Sequence, residues 1–264
     1  MSLPIEFVAS ATALECYLAC PRRFRHRYID RTPAAGPARS VAEPMRRGDL
    51  FHKLVAWDGL GLDTRIILDA ENDPELEAIW DAYQAFQSTL LADSSTIMHN
   101  VTLSAHCGPV AIEARIDALV TGPDAGVTIY DWKTSPWPNR ERLTNSAQSR
   151  VYPWVVWHAG VLDDSCSEFD LVYWFPGEPD DPLRLSCDHT LISNAADWLT
   201  GIIGTISADT RFEMTPYRLR CQTCEYLAHC GVQAERGQAE IPDEDWFFDA
   251  PADDDSFEGH WRTG

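Results

Sequence analysis

Residues 110–135 read VAIEARIDALVTGPDAGVTIYDWKTS, and this stretch predicts the centre of the fold. Every second residue from Val110 to Ala118 is apolar, which is the period-two pattern of a half-buried strand. Glycine and proline within residues 122–126 predict a turn. A second apolar run, Val127 to Tyr130, then leads directly into Asp-Trp-Lys at residues 131–133. The stretch therefore predicts two strands joined by a short turn, with charged residues where the second strand ends.

The charges at this strand end suit metal-assisted chemistry. Side chains alternate along a strand, so Asp131 and Lys133 are predicted to share one face, and Asp117 lies beside them if the register allows. Two carboxylates can hold a hard divalent cation. A lysine can orient a water molecule and stabilise negative charge that develops on a phosphate. A hairpin whose charges only face solvent is the alternative interpretation.

The use of lysine favours the chemical interpretation. The chain contains two lysines, Lys53 and Lys133, and carries arginine at its other basic positions. A guanidinium group is always protonated and is bulkier than an ammonium group. A lysine at residue 133 therefore indicates a role that arginine cannot fill.

Two short motifs in this stretch resemble the paired motifs of the PD-(D/E)XK nuclease superfamily, and specifically of its RecB-like branch. RID at residues 115–117 and DWKTS at residues 131–135 are similar to GxID and D-x-K-T. Ala114 and Arg115 depart from the pattern, because many members carry glycine there. The resemblance implies an α/β fold with a restriction-endonuclease-like core, in which helices flank a mixed central sheet. It also implies metal-dependent hydrolysis of DNA.

The resemblance assigns a role to each residue of these motifs. Asp117 and Asp131 are the expected ligands of Mn2+ or Mg2+. The backbone carbonyl of Trp132 is expected to add a further ligand. Lys133 is the expected catalytic lysine, which orients the attacking water.

A histidine is the expected nitrogen ligand. Apolar spacing predicts a helix from Met45 to Trp57. Gly48 and His52 on this helix match the G-x-x-x-H of the branch, whose imidazole joins the carboxylates at the metal. An imidazole ligand suits manganese somewhat better than magnesium. A purely structural histidine is the alternative.

A second helix, predicted from about Glu141 to Ala159, carries Gln148 and Tyr152 on one face because they are four residues apart. They match the Q-x-x-x-Y element of the branch, which lies next to the active site and touches DNA or the catalytic lysine. Pro153 disfavours a helical conformation at Tyr152, so a kink is expected there.

The cysteines indicate a second site. Cys221-x2-Cys224-x5-Cys230 is tight enough for three thiolates to share one metal centre, for which zinc is the structural alternative. The resemblance implies Cys20 as the fourth donor, ahead of Cys16, and a 4Fe-4S cluster that joins the two ends of the domain. This arrangement resembles the AddB nuclease domain and CRISPR-associated RecB-like nucleases. The remaining cysteines are predicted to be buried small apolar residues: Cys107, Cys166 and Cys187.

Composition limits the partners. The chain of 264 residues has a formal charge of -20, which argues against nonspecific coating of DNA. It contains no apolar run long enough for a membrane span and no signal-peptide pattern at its start, so a cytoplasmic protein without a membrane partner is expected. The densest basic stretch lies within residues 22–28 and is expected either to contact phosphates or to be a solvated helix face.

The domain prediction divides the chain into a nuclease domain, residues 1–240, and an acidic aromatic tail, residues 241–264. The tail is expected to be flexible and to dock onto a protein partner or onto the basic stretch. Between the motifs, periodicity predicts a loop at 32–44, helices at 74–91 and 191–206, and strands at 101–107, 168–176 and 182–187.

The resemblance implies a metal-dependent DNA nuclease, expected to be an exonuclease that acts on single strands or DNA ends. Its expected setting is CRISPR adaptation or DNA recombination and repair. A non-catalytic DNA-binding or assembly subunit that keeps the fold and the cluster is the alternative. An electron-transfer iron–sulfur protein does not explain Asp117, Asp131 and Lys133.

Overall fold

The computed structural model describes residues 3, 7–35, 39–91, 96–122, 126–135, 139–163 and 166–231. The predicted tail, residues 241–264, lies outside the described residues.

Strands within these ranges form one mixed sheet, as the sequence predicts. They are β1 (Val8–Ser10), β2 (Thr96–Cys107), β3 (Val110–Thr121), β4 (Val127–Trp132), β5 (Glu168–Trp174) and β6 (Leu183–Asp188). The order is β1-β3-β4-β5-β6, and β2 pairs with β3 along its whole length. The β1–β3 and β4–β5 pairs are parallel, whereas the β2–β3, β3–β4 and β5–β6 pairs are antiparallel.

Helices cover both faces of the sheet. They are α1 (Ala11–Ala19), α2 (Pro21–Phe24), α3 (Arg39–Gly59), α4 (Arg65–Glu71), α5 (Pro74–Leu91), α6 (Arg140–Thr144), α7 (Gln148–His158) and α8 (His189–Ala208). A π-helical turn at Arg25–Ile29 follows α2, and a 3-10 turn spans Arg218–Cys221. Among the described residues, no helix is both long and apolar enough to cross a bilayer.

The alternation of side chains along the central strands creates two hydrophobic cores. Ile129 and Leu171 point into the first core, which α1, α7 and α8 cover. Tyr130 and Val172, the next residues on the same strands, point into the second core, which α3 and α5 cover. The apolar residues of β4 and β5 are buried on both faces because helices lie on each side. The result is the expected α/β arrangement of helices around a mixed sheet.

The structure corrects the predicted helix at 141–159, which is two helices. Residues 145–147 separate α6 from α7, and the Ser146 hydroxyl accepts a hydrogen bond from the Ser149 N–H at 3.2 Å. A serine oxygen that accepts from an N–H at a helix start is a local signal for a new helix. Helix α7 continues through Pro153, so the proline does not end the helix. Packing of α7 in the first core outweighs the local preference of the residue before proline.

Three further details differ from the sequence prediction. The predicted loop at 32–44 ends early, because α3 begins at Arg39 and includes Pro44. Pro44 lies beyond the first turn of this helix and gives up the backbone hydrogen bond to the residue four positions earlier. Strand β1 and helix α4 were not predicted. Each is short, and β1 is defined by its pairing with residues 111–113 rather than by a pattern of its own.

Candidate active site and cysteine cavity

The β3–β4 hairpin places Asp117 beside the end of β4. The register pairs Ala118 with Tyr130, so Asp117 lies level with the last residues of β4. The backbone N–H of Trp132 donates a 2.8 Å hydrogen bond to Asp117 Oδ2. The Trp132 side chain is buried in the second core, so this residue reaches the site through its backbone.

The side-chain alternation of β3 shifts at Asp117. Ile116 packs in the first core and Ala118 in the second, although residues two apart on a regular strand share a face. On β2, Asn100 lies between the partners of these two residues and has a positive φ of 52°. Local strand distortions of this kind redirect side chains next to functional sites.

Lys133, Asp131 and Gln148 form a closed hydrogen-bonded triangle. Lys133 Nζ lies 2.9 Å from Asp131 Oδ1 and donates to Gln148 Oε1 at 2.8 Å. Gln148 Nε2 in turn donates to Asp131 Oδ2 at 2.5 Å. Lys133 also lies over the Tyr173 ring, 5.3 Å from its centroid. The predicted proximity of these three residues is therefore present, and each holds the others in place.

His52 on α3 faces Asp117. Its Nδ1 lies 3.1 Å from Asp117 Oδ1, but this buried nitrogen makes no hydrogen bond within the described residues. Gly48, one turn earlier, lets α3 approach the end of β4, because a Cβ there would lie 3.3 Å from Thr134 Oγ1. The spacing of Gly48 and His52 thus brings an imidazole nitrogen to the carboxylates. We call these residues the acidic site: His52, Asp117, Asp131, Lys133 and Gln148.

Burial and neighbouring groups shift the pKa values of Asp117 and Asp131 in opposite directions. Burial raises the pKa of Asp131, and nearby Asp117 adds to that effect, so the pKa stays above its usual value despite Lys133. Burial also acts to raise the pKa of Asp117, but His52 and the Trp132 N–H outweigh it and bring that pKa below its usual value. Burial acts to lower the pKa of His52, and Asp117 reverses this and raises it. Asp117 is therefore the better-stabilised anion.

Tyr152 lies one turn beyond Gln148, as its spacing predicts. Burial raises the pKa of its hydroxyl well above the usual value, and Asp131 and Asp117 add to the effect. It is therefore a neutral hydrogen-bonding group at the edge of the acidic site.

The donors of the acidic site fit a divalent cation in kind, because carboxylate oxygens and a buried imidazole nitrogen without a hydrogen bond converge there. Across the described ranges, however, no three His, Cys, Asp or Glu side chains stand in an arrangement that could already hold a metal ion.

The four predicted cluster cysteines line one cavity. Cys20 reaches it from the break between α1 and α2, and the other three come from the turns of residues 221–230. We call this space the cysteine cavity, and its lining cysteines are Cys20, Cys221, Cys224 and Cys230. Cys16 is not among its lining residues and is buried in the first core. None of the described cysteines forms a disulfide, and within the described residues no three thiols yet stand close enough together to hold a metal ion.

Burial favours the protonated form of two of these thiols, those of Cys224 and Cys230. It raises the pKa of Cys224 to about 11, and it also raises the pKa of Cys230, to which Cys20 and Cys221 add. A bound metal ion deprotonates its thiol ligands outright.

The basic stretch at residues 22–28 joins the two ends of the described chain. Arg22 Nε donates to the Phe212 carbonyl at 2.8 Å, and Arg23 forms a 3.1 Å ion pair with Glu225. Phe24, the next residue along the chain, is fully buried. Arg22 and Arg23 therefore engage other parts of the chain, which neither expectation for this stretch described, while Phe24 packs inward.

The prediction for the remaining cysteines is right for one of them. Cys187 is fully buried, whereas Cys107 and Cys166 are partly exposed. Cys107 ends β2 at the rim of the sheet, where its sulfur lies 3.8 Å from Thr200 Oγ1.

Sequence reasoning missed groups that support the site from behind. The Tyr173 hydroxyl lies 2.8 Å from the Ser149 hydroxyl, which in turn donates to the Leu143 carbonyl. The apolar pattern of β5 marks Tyr173 only as a core residue, so no local signal reveals its position under Lys133.

Comparison with known proteins identifies the family. No curated protein matches the chain. One similar solved structure is the crystal structure of SSO0001, with 16% sequence identity over 85% of this chain and 86% of that chain. Its TM-score is 0.39, and we base no argument on this likeness. The family model of the PD-(D/E)XK nuclease superfamily matches residues 8–231, which include every residue of the acidic site. The chain belongs to the PD-(D/E)XK nuclease superfamily.

Proposed function

We propose that this protein is a metal-dependent deoxyribonuclease of the RecB-like type, an exonuclease that acts on single strands or DNA ends. Members of the superfamily are generally metal-dependent nucleases. The observation that carries the proposal is the contact of Lys133 with Asp131, made beside an Asp117 that the Trp132 N–H holds in place.

The chain supplies a distinct group for each task. Asp117, Asp131, His52 and the Trp132 carbonyl would hold Mn2+ or Mg2+, which supplies Lewis-acid polarisation of the phosphate and a more acidic water. Lys133 orients the attacking water and offsets the charge that develops on the phosphate. Gln148 fixes the Lys133 ammonium group. Tyr152 offers a neutral hydroxyl to the DNA or to the lysine.

The test compares DNA topologies. The purified protein is incubated with 5′- and 3′-end-labelled linear DNA and with closed circular DNA, each single- and double-stranded, with Mn2+, with Mg2+ or with a chelator. We expect cleavage of linear DNA in the metal samples and intact circles. Cleaved circles would show an endonuclease. DNA binding without cleavage under every condition would favour the non-catalytic subunit.

We also propose a 4Fe-4S cluster in the cysteine cavity, because four free cysteines line it. Anaerobically purified protein is then expected to be brown and to contain about four irons per chain. Stoichiometric zinc without iron would contradict the cluster.

We place the nuclease in CRISPR adaptation or in DNA recombination and repair, and we propose that the acidic tail binds a protein partner. The engagement of Arg22 and Arg23 with residues 212–225 argues against the tail using that surface. Pull-down with residues 241–264 tests the partner directly, with a scrambled peptide of equal composition as the control.

A further inference from the structure

A carboxylate on the first helix holds the start of the helix that carries Gln148. Glu15 lies in α1, and its Oε1 accepts a 2.9 Å hydrogen bond from the backbone N–H of Ala147. Ala147 is buried and directly precedes α7. The two residues are 132 positions apart in the sequence.

This contact has two physical consequences for α7. The first N–H groups of a helix have no partner within the helix, so an outside acceptor satisfies one of them. A negative charge at this end also interacts favourably with the helix dipole. The Ser146 hydroxyl separately accepts from the Ser149 N–H, so the helix start keeps a second acceptor if Glu15 is removed.

The held residue is the immediate neighbour of a functional one. Gln148 follows Ala147 directly, and its side chain bridges Lys133 and Asp131 at 2.8 and 2.5 Å. A shift of the Ala147 backbone therefore moves the Gln148 side chain. Lys133 and Asp131 then lose their shared partner.

We propose that Glu15 is a positioning residue of the acidic site. Its hydrogen bond to Ala147 fixes the position of the Gln148 side chain, and Gln148 in turn orients the Lys133 ammonium group. The role deepens the proposed nuclease function and rests on it for its effect on catalysis.

A double-mutant cycle tests the route through Gln148. Glu15→Ala is expected to lower kcat for DNA cleavage about tenfold with little change in KM, which is the size expected from losing one charge-assisted hydrogen bond. Glu15→Gln keeps a carbonyl acceptor and is expected to stay within about twofold of wild type. Added to Gln148→Ala, Glu15→Ala is expected to have little further effect. Additive effects would overturn the proposal, because they would show that Glu15 acts by another route.

Lysine labelling tests the same contact without cleavage. The chain has two lysines, so exposed Lys53 is an internal reference for Lys133. Acylation by a small amine-reactive ester is followed by mass spectrometry. Glu15→Ala and Gln148→Ala are expected to raise the Lys133-to-Lys53 labelling ratio several-fold, and Glu15→Gln to leave it unchanged. An unchanged ratio in folded Glu15→Ala would overturn the proposal.

The two readouts separate the two proposals. If wild-type protein does not cut DNA, the nuclease function fails, and the labelling ratio still decides whether Glu15 positions Lys133. If Glu15→Ala does not fold, Glu15→Met keeps the side-chain volume without an oxygen acceptor and takes its place in both experiments.

Discussion

The acidic site and the cysteine cavity lie in parts of the molecule that are held in different ways. The acidic site is built on the ends of β3 and β4, with α3 on one side and α7 on the other, and both cores pack against these elements. The cysteine cavity is built from a helix break and a series of turns in which regular structure is limited to one 3-10 turn. The fold therefore prepares the acidic site in advance. The cysteine cavity depends more on a few cross-links between distant segments, such as the ion pair of Arg23 with Glu225.

The largest expected effect is the loss of catalysis without loss of fold. Asp131→Ala or Lys133→Ala is expected to lower cleavage at least a hundredfold, since one transition-state interaction is worth roughly 3 kcal/mol. Circular dichroism is expected to stay unchanged, because strands and helices define this region. Lys53→Ala, at the exposed second lysine, is the matched control and keeps full activity. If Lys133→Ala cleaves DNA at the wild-type rate, Lys133 is not the catalytic lysine.

The cysteine cavity is expected to show the opposite behaviour. Replacing any one of its four cysteines by serine is expected to remove most of the iron and to lower the melting temperature, because the proposed 4Fe-4S cluster would join residues from both ends of the described chain. Cys107→Ser, outside the cavity and partly exposed, is the control and keeps its iron. Iron content and thermal unfolding of each variant are measured side by side. An unchanged iron content in Cys224→Ser would show that this cysteine does not hold the proposed cluster.

Removing an ion pair between the two ends of the described chain is expected to lower stability by a smaller amount. Arg23→Ala removes the ion pair with Glu225, whose side chains are 20% and 15% exposed, and is expected to cost about 1–3 kcal/mol. Arg211→Ala is the control: its pair with Glu213 is 81% and 72% exposed and is expected to cost less than about 1 kcal/mol. Urea unfolding midpoints measure both. Equal midpoints for the two variants would show that the cross-link does not stabilise the cavity region.

The smallest expected effect is a displacement of His52. Gly48→Ala places a Cβ 3.3 Å from Thr134 Oγ1, so α3 or Thr134 must shift slightly. Cleavage is expected to fall only a few-fold, and the variant is expected to need more Mn2+ for half-maximal rate. Gly201→Ala, at a helical glycine with open space, is the control and keeps wild-type metal dependence. Identical metal titrations for both variants would show that the approach of α3 tolerates a methyl group.

The sequence alone predicts the parts of this protein that local patterns encode. The period-two pattern of residues 110–118 predicts β3, and the apolar run of residues 127–130 predicts β4. The spacing of Asp131 and Lys133 predicts that both share one face. The helical spacing of apolar residues predicts α5 with its bounds and most of α3 and α8. The break between α6 and α7 was missed although Ser146, whose hydroxyl accepts from the Ser149 N–H, is a local signal for a helix start.

Only the tertiary structure decides how distant segments meet. The hold of Glu15 on Ala147 and the meeting of Cys20 with Cys221 around one cavity join residues that no single periodic segment contains. The shift of side-chain alternation at Asp117 lies within one strand, but the period-two pattern of that strand does not reveal it. The cysteine spacing predicted three of the four cavity cysteines as a unit, and the fourth, Cys20, came from the family resemblance. The physical reason is that such contacts depend on how both cores pack as a whole, whereas strand and helix periodicity depends only on near neighbours in the chain.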